Sequence, residues 1–348
     1  MDQKRESIFR ATIRNFFVGF ALISGIFAAF IAMILIIAVL EESQETYTAD
    51  LKKTILPDAQ GKIAELSSST PVILQIDIKG VVGLEKLKAD HVRRQLVESR
   101  YGDLKDRVKA ILLSIESPGG TVTDADAIYR DIRHYKETYK VPVYAHIDGM
   151  CASGGYYIAM AADKIFATDA SLIGSVGVLM PTFLNVSKLL THYNIETLSL
   201  TAGKGKDELN PLRPWAPDES KNYQHIIDFY YQDFVNLVTS HRPLLAKEKL
   251  IDVYGAHVFP AKESEGYGYI DASGKSRSET LIELTHDAGL SDQPYQVVRL
   301  DSNNWFNDVF KSQQMGLFRG KVEHHLIVPG ALDARLEGKL LYLYHPSL

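Results

Sequence analysis

One run of the chain is apolar and uncharged throughout, residues 16–40, and nothing downstream matches it in length. A run of that size crosses a bilayer core of roughly 30 Å as a tilted helix. From residue 71 onward the pattern changes to short apolar stretches alternating with amphipathic ones. Residues 72–78, 110–115, 141–147 and 164–168 are apolar, β-branched and short, and they read as strands. Residues 124–140 place Ile128, Ile132 and Tyr135 on one helical face, with Thr123 positioned to cap the helix. Residues 156–162 read as a buried helix, 183–193 and 221–240 as further helices, and 196–200 as strand-like. Strands separated by helices predict an α/β domain of βαβ units around a mostly parallel sheet.

The connecting segments complete the expected organisation. Residues 41–70 are polar, close with Ser67-Ser68-Ser69-Thr70, and read as a partly helical tether. Beyond about residue 290 the pattern loses regularity, although 340–344 is apolar enough to return as a strand. The division expected is a cytoplasmic terminus (1–15), a transmembrane anchor (16–40), the tether (41–70), the α/β domain (71–290) and a C-terminal extension (291–348). That extension is expected to pack on the core or at an oligomer interface.

Charge sharpens the picture at the N-terminus. Lys4, Arg5, Arg10 and Arg14 precede the apolar run, whereas Glu41, Glu42 and Glu45 follow it. The positive-inside bias then places the N-terminus in the cytoplasm and the α/β domain outside. A cleaved signal peptide would have an apolar core of about 7–15 residues and a small-residue cleavage site. This run is much longer and ends Ile37-Ala38-Val39-Leu40-Glu41-Glu42, a poor cleavage sequence, so an uncleaved anchor is expected. The whole chain, with 38 Lys and Arg against 43 Asp and Glu, is mildly acidic, which argues against nucleic acid as a partner. Its single cysteine, Cys151, excludes an intrachain disulfide, so the domain must be held by its core. Cys151 reads most simply as a small core residue, or else as a thiol lining the site.

Candidate chemistry gathers at two glycine-rich turns. Ala152-Ser153-Gly154-Gly155 lies between the 141–147 strand and the 156–162 helix. A serine there would sit at the positive end of a helix, and its small neighbours would admit a substrate backbone. Ser117-Pro118-Gly119-Gly120 ends the 110–115 strand. One turn can hold a nucleophile while the other supplies oxyanion-binding amides, which points to acyl transfer. A serine hydroxyl needs a base within hydrogen-bond reach. The histidines suit that role poorly: His146 and His134 belong to a strand and a helix, His192 falls inside an expected helix, and His324 and His325 lie far downstream. Lys204 and Lys206, in Ala202-Gly203-Lys204-Gly205-Lys206, are the alternative. A lysine acts as base only if burial or neighbours lower its pKa from about 10.4, and a solvated basic loop explains this turn equally well.

Ser117-Pro118-Gly119-Gly120, Ala152-Ser153-Gly154-Gly155, Ile173-Gly174-Ser175-Val176-Gly177 and Ala202-Gly203-Lys204-Gly205-Lys206, in this order and at these spacings, resemble family S49 peptidases. These are the signal peptide peptidase A and SohB-like enzymes, and the resemblance covers about residues 71–290. It implies a ClpP/crotonase-like α/β fold and a membrane-anchored serine endopeptidase with a Ser–Lys dyad. Ser153 would be the nucleophile and Lys206 the general base, with Lys204 as the fallback. Ser175 would orient the lysine, although a small residue in a tight turn is the plain alternative. The backbone N–H groups of Gly120 and Gly154 would form the oxyanion hole. Glu116, which differs from the residue often found before such a Ser-Pro-Gly-Gly, would be structural or a wall of the groove.

The resemblance further implies peptide substrates, namely remnant signal peptides or other unfolded segments at the outer face of a bacterial inner membrane. It also implies a homo-oligomer, since a single copy of the catalytic domain cannot enclose a chamber. No metal or cofactor is expected, because no HExxH, CxxC or phosphate-loop pattern occurs. Two rivals remain: an inactive membrane scaffold that binds peptides, and a crotonase-type enzyme acting on acyl-thioesters. The export anchor weighs against the latter.

Overall fold

The computed structural model describes residues 8–43, 51–84, 87–302 and 339–344. The chain divides into two compact units, residues 1–50 and 51–348. The first contains α1 (Ile8–Ser43), whose stretch Arg14–Met33 has a mean hydropathy of 2.4 and is long and apolar enough to cross a membrane. His324, His325, the first seven residues and most of the expected C-terminal extension lie outside the described residues.

The second unit is built on one mixed sheet. In chain order its elements begin with β1 (Leu51–Leu56), β2 (Val72–Lys79), α2 (Ala89–Glu98), β3 (Val108–Ser117), β4 (Gly119–Thr121) and α3 (Val122–Tyr139). There follow β5 (Val143–Ala152), α4 (Gly154–Ala159), β6 (Lys164–Ala167), β7 (Leu172–Gly174), α5 (Ser187–His192) and α6 (Lys221–His241). Then come α7 (Lys247–Lys249), running into a π-helical turn, β8 (Val258–Pro260), α8 (Ala261–Tyr267), α9 (Arg277–Asp287), β9 (Gln296–Ser302) and β10 (Leu341–Leu343). The sheet order is β1-β9-β2-β3-β5-β7-β8, with β6 also paired to β5. The central pairs are parallel, as the βαβ pattern predicts, while β1 and β8 join antiparallel at the two edges.

Alternation along the strands sorts side chains to two faces. On β2, Val72, Leu74, Ile76 and Ile78 enter the larger core, which α2, α3, α4 and α6 cover. Ile73 points the other way, onto a smaller core with Leu112, Tyr144, Phe166 and the α9 residues Leu281 and Leu284. Further along that second face β2 turns polar: Gln75 accepts from Arg277 and Asp77 pairs with Arg299 at 2.9 Å.

Three local expectations differ from the structure. The segment read as a tether carries β1, and β9 lies past the expected boundary at 290, so both flanks of the expected domain contribute strands. The cap of α3 is Thr121, whose Oγ1 accepts from the Asp124 N–H at 3.3 Å, two residues before the expected Thr123. Of the expected 183–193 helix only α5 forms, and 196–200 is not a strand.

Candidate active site

Strand β5 positions the candidate nucleophile. Its first half pairs with β6 and its last three residues with β7, so the strand forks and ends at Ala152 opposite Gly174. Ser153 follows with φ 53° and ψ −116°, a backbone region L-residues rarely occupy, before α4 begins. Such a conformation costs on the order of 1–3 kcal/mol and persists only where neighbours impose it. Here the Ser153 N–H donates to Gly174 O at 2.9 Å, and Ser153 O accepts from the Tyr157 N–H at 2.8 Å. The residue is 1% exposed, and its Oγ is buried without a hydrogen-bond partner. Strained backbone and an unpartnered hydroxyl thus coincide at one buried residue.

The second glycine turn lies directly against the first. Ser117 Oγ donates to Gly80 O at 2.6 Å and accepts from the Gly119 N–H at 3.1 Å, fixing the turn into β4. Gly119 has φ 97°, and a Cβ there would stand 2.7 Å from Gly154 N; one on Gly154 would stand 3.1 Å from Gly120 N. The amides of Gly120 and Gly154 therefore lie side by side, next to Ser153. At Gly120 a Cβ would fall 2.0 Å from Val82 O, so this strand tolerates no side chain at that position.

Ser175 is brought close as well. It is buried, follows Gly174, and sits at φ 56° with its N–H donating to His257 O at 2.7 Å. Lys204 and Lys206 are not brought in: both are exposed on the 201–210 turn, and neither hydrogen-bonds to Ser153. Glu116 is exposed, with its carbonyl accepting from the Gly80 N–H. Cys151 is wholly buried and its thiol is pushed up by burial, which suits a packed core residue. His146 faces the smaller core side, bonded to Thr280 Oγ1 at 3.0 Å, and burial lowers its pKa to about 4. His146 is thereby held away from the Ser153 turn. Among the described residues no cluster of three His, Cys, Asp or Glu could hold a metal ion.

The 340–344 segment lands beside the glycine turn. β10 pairs antiparallel with β4, with Tyr342 opposite Gly120. An apolar segment at 340–344 was legible; its landing place was not.

The class that fold and site define is a Clp-protease-like α/β protein with a buried serine beside a glycine strand; the Clp protease model matches residues 74–173. The Peptidase family S49 model matches residues 136–290. A candidate protease of Synechocystis sp. is 31% identical over 60% of this chain and 72% of its own length. A candidate protease of Methanocaldococcus jannaschii is 30% identical over 57% of this chain and 62% of its own. A candidate signal peptide peptidase of Enterococcus faecium is 31% identical, the match covering 53% of each chain. A ClpP1 structure from Listeria monocytogenes superposes with a TM-score of 0.40 at 18% identity, over 61% of this chain and 96% of its own. The chain belongs to peptidase family S49.

Proposed function

We propose that this protein is a membrane-anchored serine endopeptidase in which Ser153 attacks the carbonyl of an extended peptide. The observation that carries the reading is the buried, unpartnered Ser153 Oγ on a strained turn, next to Gly154, against which the Gly119-Gly120 turn packs closely. In the proposed cycle a neutral lysine takes the Ser153 proton as Oγ bonds to the carbonyl carbon. The Gly120 and Gly154 amides hold the resulting oxyanion. The proton then passes to the leaving amine, and water hydrolyses the acyl-enzyme to free the new carboxylate and regenerate the serine.

Lys206 is the proposed base, with Lys204 the fallback and Ser175 the residue that orients it. Because Lys206 stands away from Ser153 within one chain, we place it at the Ser153 of a neighbouring copy. The segment carrying it supports an assembly: Leu198 is 84% and Leu200 86% exposed, with Leu184 and Tyr193 also bare, a surface suited to burial against another chain. Stretch Arg14–Met33, preceded by basic residues, is read as the anchor, with the α/β unit outside the bacterial cytoplasmic membrane. Remnant signal peptides or other unfolded segments at that surface are the substrates this placement favours. The name of the Enterococcus relative points the same way.

The test is turnover of a synthetic signal peptide by the full-length protein in detergent. Ser153→Ala and Lys206→Ala should each reduce turnover at least a thousandfold with unchanged melting, and a serine-directed phosphonate should label Ser153. A folded, assembled protein that neither cleaves nor labels would be the inactive peptide-binding scaffold instead.

A further inference from the structure

Residues 193–220, between α5 and α6, form neither helix nor strand, yet they carry Lys204 and Lys206. Gly203 and Gly205 flank Lys204 at φ 100° and 82°, and Leu209 sits at φ 56°. No regular ladder holds a backbone of that shape, and its own bonds are long: Lys206 N–H to Gly203 O and Asn210 N–H to Asp207 O are each 3.3 Å. A catalytic group has to stay within about 0.5 Å of its working position. A base on this stretch therefore needs some other hold.

Arg213 supplies one. Its Nε donates to Asp207 Oδ2, its Nη2 to the Asp207 main-chain oxygen and to Glu219 Oε1, and its Nη1 to Pro214 O at 3.0 Å. All three guanidinium nitrogens are engaged, two of them around the residue that follows Lys206. Asn210 closes the same knot. Its Nδ2 donates to Asp207 Oδ1 at 2.7 Å, its Oδ1 accepts from the Leu212 N–H at 2.9 Å, and its carbonyl accepts from Trp215 Nε1 at 2.8 Å. The far end is anchored as well. The Glu219 side chain is only 9% exposed, and its second oxygen accepts from the Ala216 N–H at 2.8 Å. Glu219 lies two residues before α6, whose Phe234, Val235 and Val238 enter the larger core. The guanidinium holds the Asp207 and Glu219 carboxyls below their usual range, so both stay charged at neutral pH. A planar fork can join two carboxylates in this way; a lysine, a point charge on a flexible stem, cannot.

We propose that Arg213 is a positioning residue: by joining Asp207 to Glu219 it fixes the turn that carries Lys206 onto the entry of α6, so that the lysine serves Ser153 from one defined place. It acts through Lys206 and takes no part in the bond changes. This rests on the reading of Lys206 as the base. Where the lysine of one chain serves the serine of another, a turn ordered in advance spares the assembly from ordering it at each turnover.

Two measurements on the full-length protein in detergent test this, and the first needs no activity. Trypsin cuts the Lys204–Gly205 bond at a rate that mass spectrometry follows; Arg213 precedes Pro214, so replacing it removes no tryptic site. Arg213→Ala should be cut at Lys204 at least tenfold faster than the wild type, and Arg213→Lys, which keeps the charge without the fork, should be cut faster too. The second measurement is the rate at which the phosphonate labels Ser153. Arg213→Ala should label at least tenfold more slowly, whereas adding it to Lys206→Ala should slow labelling no further. A purely structural role would make the two losses add. Equal tryptic rates, wild-type labelling by Arg213→Ala, or additive losses overturn the proposal. So does a lowered melting temperature or an altered assembly size in both Arg213 variants. If Lys206→Ala labels as fast as the wild type, the base assignment has failed and the positioning role goes with it. If Lys206→Ala is slow and Arg213→Ala is not, the positioning role alone has failed.

Discussion

His146 illustrates how burial on a strand can remove a residue from acid–base chemistry while leaving it a role in stability. Its pKa in the folded protein, about 4, lies below its ordinary 6.5. Between those values the unfolded chain binds the proton more readily than the folded one, so stability is complete above about pH 6.5 and declines as pH falls toward 4. The slope from this one group approaches about 1.4 kcal/mol per pH unit, or roughly 2 kcal/mol between pH 6.5 and 5. Urea unfolding at pH 7 and pH 5 should show that loss in the wild type and a shallower one in His146→Gln. Equal losses in the two would remove His146 from the account. The tight turn at Ser153 was legible because small residues crowd it, and its φ of 53° agrees with that crowding. The missing partner of Ser153 was not legible: a lysine close in a motif need not be close in one folded copy.

Among the elements, the sheet-forming runs at 72–78, 110–115 and 164–168 were readable because both faces are covered, which makes such strands continuously apolar. β1 was not, since Leu-Lys-Lys-Thr-Ile-Leu on a half-exposed edge mixes charge with apolar residues and finds its partner β9 nearly the whole domain away. The cap of α3 was misplaced by two residues because Thr121 and Thr123 offer the same hydroxyl, and only the path of β4 into the helix decides between them. β4 is also the least forgiving element. Gly120→Ala would drive a methyl group to 2.0 Å from Val82 O, so the strand or its neighbour must shift. Overpacking of this sort costs about 1–3 kcal/mol. A thermal melt should fall by several degrees. An unchanged melt would mean that β4 moves freely, contrary to its pairing with Val82 and Tyr342.

For the whole molecule, the proposed placement of Lys206 at a neighbour's Ser153 has a consequence no single chain can mimic. Ser153→Ala and Lys206→Ala chains, each inactive alone, should regain activity when co-expressed. Random one-to-one mixing in a symmetric ring pairs an intact serine with an intact lysine at about a quarter of the sites. No recovery in mixed assemblies of normal size would return the dyad to one chain. The α/β class and the order of the glycine motifs were visible from periodicity and spacing. A surface for the proposed assembly was not visible in the sequence, because exposed leucines such as Leu198 and Leu200 reveal themselves only when the chain is folded.

β10 is paired on both edges, with β4 on one side and with Leu179 on the other, and that seat carries one more implication. An occupant must offer backbone N–H groups where Leu341 and Tyr344 offer theirs, and carbonyls between, in one fully extended run. A helix has already spent those groups internally, and a proline at either position lacks the hydrogen. On the proposed reading of β4 as a peptide-binding edge, such a seat would filter on conformation before any side chain is consulted: it would admit extended polypeptide and turn away helix.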